Sequence, residues 1–361
     1  LEKFLIINPF GIGDVLFTTP VIRAIKENRP DSFIGYWCNQ RVAQLLRADK
    51  KIDKIFALSR GDIKKISAHS KLKGLRESLK LFFEIKKENF DTAFDYSLDS
   101  RYGLVSKLAG IKKRIGFNYK NRGRFLTDRL ELEGYSNKHV VDYYLQLLNF
   151  INFKPLSRNL ELAVPVQDKE KAKREFSGYG IKEGDLVIAI APGGGQSWGR
   201  DSYLKHWPVE NFARLADNLS QGFAAKILIL GDESEAGLAA ALSAGMSNKP
   251  IDLVGKTDLR RLAAFIDCAA LLVANDGGPL HIGVALKKKT VSFFGPVDPL
   301  VYGPYPVDET RHIVLRKRIE CGPCYRNFRL LKCSHDKACL RGISVEEALQ
   351  AVSKLLVSKE A

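Results

Sequence analysis

No stretch of this 361-residue sequence approaches 18 consecutive apolar residues, which excludes a membrane-spanning helix on hydropathy grounds. Collagen-like glycine repeats are missing as well, and 45% hydrophobic with 10% aromatic residues is incompatible with a disordered chain. The chain opens at Leu1 on a strand-like run instead of a basic, apolar export signal, so either the start is trimmed or no export signal exists, and a cytoplasmic location is expected. Acidic residues are scarce: 41 Asp and Glu stand against 57 Lys and Arg, a formal net charge of +16.

That imbalance is uneven. Residues 1–165 hold 30 basic and 18 acidic side chains, residues 166–361 hold 27 and 23, and residues 60–124 alone hold 17 and 7. One region of one half therefore carries most of the positive field. Nucleic acid, an anionic membrane surface and a phosphorylated small substrate all fit such a region, as does a plain solvated basic face. Residues 60–80 contain no aromatic side chain to stack a base, which speaks against specific nucleic-acid binding.

Length and composition suggest two domains. Short apolar runs at residues 3–8, 33–38, 54–58, 92–96 and 114–117, then at 186–191, 225–230, 251–254, 271–274 and 290–294, read as strands. Helix-period segments alternate with them, including 14–28, 74–88, 209–221, 234–244 and 259–268, so the class is α/β. Residues 6–14 (Ile-Ile-Asn-Pro-Phe-Gly-Ile-Gly-Asp) resemble residues 189–197 (Ala-Ile-Ala-Pro-Gly-Gly-Gly-Gln-Ser): each is an apolar strand closed by proline and a glycine loop. Two Rossmann-like, doubly wound domains facing across a cleft are expected, with a boundary in residues 159–184. Ser344-Val-Glu-Glu347 is a capping box opening a last helix over 345–357.

The first glycine loop lacks the third glycine of a dinucleotide fingerprint, because Leu16 occupies that place. It leaves Asp14 in the first turn of a helix, where the carboxylate stays ionised and either accepts a proton from an attacking hydroxyl or caps the helix. In the second half, Gly193 and Gly194 allow a close anion approach, with Ser197 following and Lys205 as a clamp for a charged leaving group. The alternative is an ordinary helix start at Pro208 with Trp207 in the core. Asn275-Asp-Gly-Gly-Pro-Leu-His281 opens another helix, where Gly277 and Gly278 free an N-terminus for a diphosphate and His281 either bonds a phosphate or caps locally. Past the strand at 225–230, Glu235, ahead of Glu233, is the candidate for ribose hydroxyls.

Four of the six cysteines, Cys321, Cys324, Cys333 and Cys339, cluster; the first pair has zinc-knuckle spacing, so a structural zinc competes with plain thiol packing. Cys38 and Cys268 are expected in the core. No Asp-x-Asp metal motif occurs.

Taken in order, Gly13-Asp14 with Thr19-Pro20, Pro192-Gly193 leading to Lys205-His-Trp-Pro208, Gly231 with Glu235, and Asn275–His281 before Phe294-Gly-Pro296 resemble the glycosyltransferase family of the lipopolysaccharide heptosyltransferases. The resemblance covers nearly the whole chain. It implies a GT-B fold with an acceptor domain over 1–165 and a nucleotide-sugar domain over 166–343 that includes the cysteine-rich segment 321–339. Residues 344–361 would form a helix packing back toward the N-terminal domain.

It further implies inverting transfer without a catalytic metal or other cofactor. Asp14 would be the base, Lys205 and the amides near Asp276–Gly278 would stabilise the diphosphate, and Glu235 would hold the ribose. The acceptor would be an anionic lipid-linked saccharide, met by Gly13, Lys64, Arg122 and Arg124 at the inner face of the cytoplasmic membrane, and ADP-heptose is the favoured donor. Residues 193–204 form a longer, more glycine-rich segment than the best-known members carry. Outside this resemblance, an NAD-dependent oxidoreductase or epimerase shares the two glycine loops, and a basic nucleic-acid binder with a zinc knuckle shares the charge and the cysteines.

Overall fold

The computed structural model describes residues 1–194 and 196–357, with the side chains of Gln196 and Ser197 outside the description. The chain divides into two compact units, Leu1–Ala163 and Val164–Ala361, two residues from the boundary expected at 165.

The first unit holds six strands: β1 (Lys3–Ile7), β2 (Phe33–Cys38), β3 (Lys54–Ala57), β4 (Thr92–Asp95), β5 (Lys113–Tyr119) and β6 (Asp128–Leu132). All pair in parallel in the order β3-β2-β1-β4-β5-β6. The central strand explains its own place: Phe4, Leu5, Ile6 and Ile7 are wholly buried, as a strand covered on both faces requires. β6 escapes a pattern search because it is an edge strand whose Asp128 to Leu132 alternate between half-buried and exposed until the last residue.

The second unit repeats the plan with β7 (Val187–Ala191), β8 (Lys226–Ile229), β9 (Ile251–Asp252), β10 (Leu271–Asn275), β11 (Lys289–Phe293) and β12 (His312–Leu315). These too are parallel, in the order β12-β11-β10-β7-β8-β9. Numbered within its own unit, each sheet runs 3-2-1-4-5-6. The order reverses beside its first strand, between β1 and β4 and between β7 and β10, and ligands of such sheets bind at the strands' carboxyl ends there.

The segment expected as one helix over 14–28 is two, Ile12–Leu16 and Thr19–Asn28. Pro20 has no N–H to continue a helix, and Thr18 Oγ1 bonds both Val15 O (2.6 Å) and Tyr36 Oη (2.7 Å), closing the first turn. Trp207 is buried as expected: its ring stacks on Phe293 (4.1 Å, 11°) and its Nε1 donates to Ile343 O (3.0 Å). Cys38 is buried, but Cys268 is only half-buried, its thiol 3.8 Å from Lys169 O, because it ends the helix Leu259–Cys268.

The final helix, Val345–Val357, begins at the capping box read from the sequence. Ser344 N donates to Glu347 Oε2 (2.8 Å) and Glu347 N to Ser344 Oγ (3.1 Å). Its apolar face, Val345, Ala348, Ala351, Val352 and Leu355, joins the core of the second unit, against the helix Val209–Phe223 and β11.

Candidate functional site

In the second unit three loops leave the strand ends at the reversal point, and one buried amide fixes two of them. Asn275, at the end of β10, donates through Nδ2 to Pro192 O (2.6 Å) and accepts at Oδ1 from Trp207 N (3.0 Å). Gly277 is required by proximity: a Cβ there would lie 3.1 Å from the carbonyl of Gly194. The helix Gly278–Ala285 starts at Gly277 without a side-chain cap, which leaves its first-turn amides directed out of the helix. Asp276 N is committed to Phe293 O (3.2 Å), and Gly194 N to His206 Nε2 (3.0 Å). The anion donors this loop offers are thus Gly277 and Gly278, and Gly194 serves by its missing side chain.

Lys205 and Asp276 meet here. Nζ stands 2.7 Å from Oδ2 with the two side chains 9% and 5% exposed, and the ammonium lies 4.3 Å from the centre of the Trp198 ring. At this distance the ammonium and the carboxylate are in direct charge contact. A buried ammonium so placed can meet a second anion, which would stand at the helix N-terminus with Lys205 beside it.

His281 is buried in the same place; burial drives its imidazole down to about 4, with Asp276 opposing and Lys205 reinforcing the fall. His206 is held at about 4 by burial and by Lys337 and Lys205, so it is neutral and its Nε2 can accept from Gly194.

Glu235 follows β8. Its Oε2 accepts from Asp232 N (3.0 Å), and the absent side chains of Gly193 and Gly231 make room for it: a Cβ on Gly231 would fall 2.6 Å from Oε2, and one on Gly193 would land on Oε1. Glu233 is exposed. Gly193→Ala is therefore expected to displace the Glu235 carboxylate, and a crystal structure of the variant with that carboxylate unmoved would contradict it. Ser197 lies outside the described side chains.

In the first unit, Asn8 is wholly buried just past β1, donates to Asp14 O (2.9 Å) and accepts from Phe10 N (3.2 Å). Asn39 donates to Pro9 O (3.2 Å) and Phe10 O (2.6 Å). Two amides thus set the glycine loop and aim the half-exposed Asp14 from the first turn of Ile12–Leu16, with Gly13 half-exposed beside it.

Beside this loop lies a carboxylate that the sequence reading missed. Asp95 ends β4 in register with Ile7, is buried, accepts from Ser97 N (2.9 Å) and is pushed up to about 6 by desolvation. Its signal was positional: an acid closing the strand next to β1.

The acceptor candidates are spread around the following turn. Arg122 Nη1 reaches Leu98 O (3.5 Å), while Asp99 pairs with Arg60 (3.4 Å) and Arg101 (3.0 Å), which were not singled out. Lys64 is exposed one helical turn beyond Arg60. Arg124 is exposed over the Phe125 ring (4.8 Å).

All six cysteines are free thiols. Cys324 is pushed up to about 11 by burial, with Cys321, Cys339 and Cys333 near enough to add to the rise; its Sγ donates to Cys321 O (3.4 Å), and Lys337 N donates to Cys333 Sγ (3.3 Å). The thiols converge, yet among the described residues no group of three or more His, Cys, Asp or Glu is placed to hold a metal ion.

His206, His281 and His312, each lowered to about 4 by burial, stay neutral in the folded chain where an unfolded chain, titrating near 6.5, takes up protons. Their contribution is complete above about pH 6.5 and is lost as pH falls toward 4, on the order of 3 kcal/mol each. Asp95, raised to about 6, offsets part of this slope, since its acid form favours the folded state below that pH. The thermal midpoint should fall between about pH 6.5 and 5, and His312→Gln, away from the site, should flatten the fall by one proton's share. A midpoint that rises on acidification contradicts the assignment.

Residues 78–335 match glycosyltransferase family 9 (heptosyltransferase). The chain belongs to this family. It is 25% identical over 353 residues to lipopolysaccharide heptosyltransferase 3 of Escherichia coli K12, with 95% of each chain covered. Among solved structures, a family 9 glycosyltransferase from Veillonella parvula superposes with a TM-score of 0.80 at 23% identity, covering 99% of this chain and 98% of that one. Escherichia coli ADP-heptose lps heptosyltransferase II gives 0.77 at 20% identity, with both chains covered completely. Family 9 membership makes the chain a glycosyltransferase of GT-B fold. The oxidoreductase and nucleic-acid readings that the glycine loops and the charge left open give way to it.

Proposed function

We propose that this family 9 enzyme transfers a heptose from ADP-heptose to a saccharide of a lipopolysaccharide core, with inversion at the anomeric carbon and without a catalytic metal. The observation that carries this reading is the buried Lys205–Asp276 pair beside the open N-terminus of Gly278–Ala285, with Glu235 seated against Gly193 on the neighbouring loop. The names of the relatives supply the sugar, the nucleotide and the acceptor class.

In the proposed reaction the acceptor hydroxyl attacks the anomeric carbon as its proton passes to the Asp14 carboxylate. The bond from that carbon to the diphosphate oxygen breaks, and ADP leaves carrying the electron pair. Glu235 holds the ribose hydroxyls. Lys205 and the amides of Gly277 and Gly278 meet the charge growing on the diphosphate; because they are fixed before reaction, they can replace a cation in this role. Asp276 positions Lys205, and His281, neutral, packs behind them. Gly193 and Gly194 bring the backbone close, with Ser197 on the same loop.

Lys64 on the helix Arg60–His69 and Arg122 and Arg124 in the turn after β5, with Gly13, receive the phosphates or acidic sugars of a lipid-linked acceptor at the inner face of the cytoplasmic membrane. No described helix is long and apolar enough to cross that membrane. The four clustered cysteines are structural. A zinc ion among them is a separate expectation, decided by metal analysis of the purified protein: one zinc per chain supports it, and none removes it.

The reaction is tested by incubating the enzyme with ADP-heptose, a core acceptor and a chelator, then reading the new anomeric linkage by proton NMR. An inverted linkage formed at the unchelated rate is expected. Retention of configuration, or loss of transfer that magnesium restores, contradicts the mechanism.

A further inference from the structure

The helix Lys71–Glu88 in the first unit leaves large apolar side chains in water. Leu72, Leu75, Leu79 and Phe83 are 79%, 57%, 48% and 60% exposed. At 3.6 residues per turn they fall within an arc of about 80° and run about 16 Å along the axis. Gly74, Leu81 and Ile85, which pack into the unit, lie on the other side. The helix thus has two apolar faces, one of them without a partner among the described residues.

The charges on the helix are sorted around that second face. Arg76, Lys80 and Lys87 border one edge, Lys71 the other, and Lys86 stands within it; all five are exposed. The acidic residues Glu77 and Glu84 turn away, lining with Lys73, Lys80, Ile66 and Leu81 a cavity of about 410 Å³ on the sheet side. A stripe of Leu and Phe edged by lysine and arginine is the composition of a helix lying in a bilayer interface. A second copy of the chain fits it less well, since two-fold contact would set these cations against their own counterparts.

We infer that this helix docks the enzyme on an anionic phospholipid bilayer, with Leu72, Leu75, Leu79 and Phe83 in the acyl boundary and the bordering cations among the headgroups. The inference deepens the membrane contact proposed above and rests on it, assigning that contact to a face outside the acceptor residues. Docking here would hold the first unit where a lipid-linked acceptor is presented.

Cosedimentation with phosphatidylcholine vesicles, with and without phosphatidylglycerol, tests this. The native protein should partition onto the phosphatidylglycerol vesicles and be released by salt. Leu79→Gln/Phe83→Gln should weaken partition by roughly tenfold or more. Arg76→Gln/Lys80→Gln/Lys87→Gln should lose about fivefold per cation. Both variants alter exposed positions, so unchanged circular dichroism and thermal midpoint are expected, and transfer to a water-soluble acceptor saccharide should stay at the native rate.

Equal partition of native and stripe-variant proteins overturns the docking face, as does native binding to phosphatidylcholine alone at the same strength. A native dimer that the stripe variant dissociates also overturns it, showing that a second copy covers the stripe. Partition as described, with no transfer to any acceptor, leaves the face standing and sinks the transferase mechanism instead.

Discussion

Asp14→Ala is expected to fold normally, bind the donor nucleotide with unchanged affinity and lose transfer by about 10²–10⁴-fold, the usual loss on removing a general base. The expectation rests on how the residue is held. Asn8 fixes the loop through the backbone oxygen of Asp14, a contact that survives truncation of the side chain. The half-exposed carboxylate contributes little packing, and the nucleotide residues belong to the other unit. Single-turnover rates with titrated donor affinity separate the two quantities. Turnover at the native rate removes Asp14 from the mechanism and directs attention to Asp95, the neighbouring carboxylate held near 6.

Lys205→Ala should have two effects at once. It leaves the 5%-exposed Asp276 side chain without its cation, and breaking a buried pair from one side costs about 3–5 kcal/mol. It also removes the ammonium proposed to meet the diphosphate, so nucleoside diphosphate affinity should fall by about tenfold or more. The double variant Lys205→Ala/Asp276→Asn discriminates between them. Replacing the carboxylate by a neutral amide should recover much of the lost stability and none of the affinity. A single variant as stable as the native protein would show that the pair does not hold the loop, and unaltered affinity would remove Lys205 from the donor site.

Apolar runs and glycine loops made the two sheets legible, because parallel strands buried on both faces cannot hide among polar residues. β6 and β12 were not seen. β6 alternates like a solvent-facing edge, and β12 is only His312–Leu315, with Arg311 before it and Arg316 after. The break after Leu16 combines the missing N–H of Pro20, a local signal, with a tertiary hydrogen bond between Tyr36 and Thr18 that no local pattern shows.

At the site, the candidates named from the sequence, Asp14, Lys205, Glu235 and Asp276, stand on or beside loops whose spacing a sequence displays, and their roles are proposals. Those that hold the loops were not. Asn275 and Asn39 act through single amides on chain segments that meet only after folding, and Asn8 through one amide within its own loop. His206 looked like part of a helix start until its Nε2 was found accepting from Gly194. Asp95 gains its interest from burial alone. The exposed stripe of Lys71–Glu88 was hidden for a related reason, since Leu72, Leu75, Leu79 and Phe83 belong in a core by composition and only their exposure sets them apart.

The central claim is that the loops after β7, β8 and β10 form a nucleoside diphosphate site selective for ADP. It is tested most directly by the thermal midpoint of the purified protein with saturating ADP, GDP, UDP, CDP or NAD, since a ligand that binds only the folded state raises the midpoint. A rise with ADP alone, abolished in Glu235→Ala, is the predicted result. No rise with any diphosphate, or a rise with NAD alone, would contradict it.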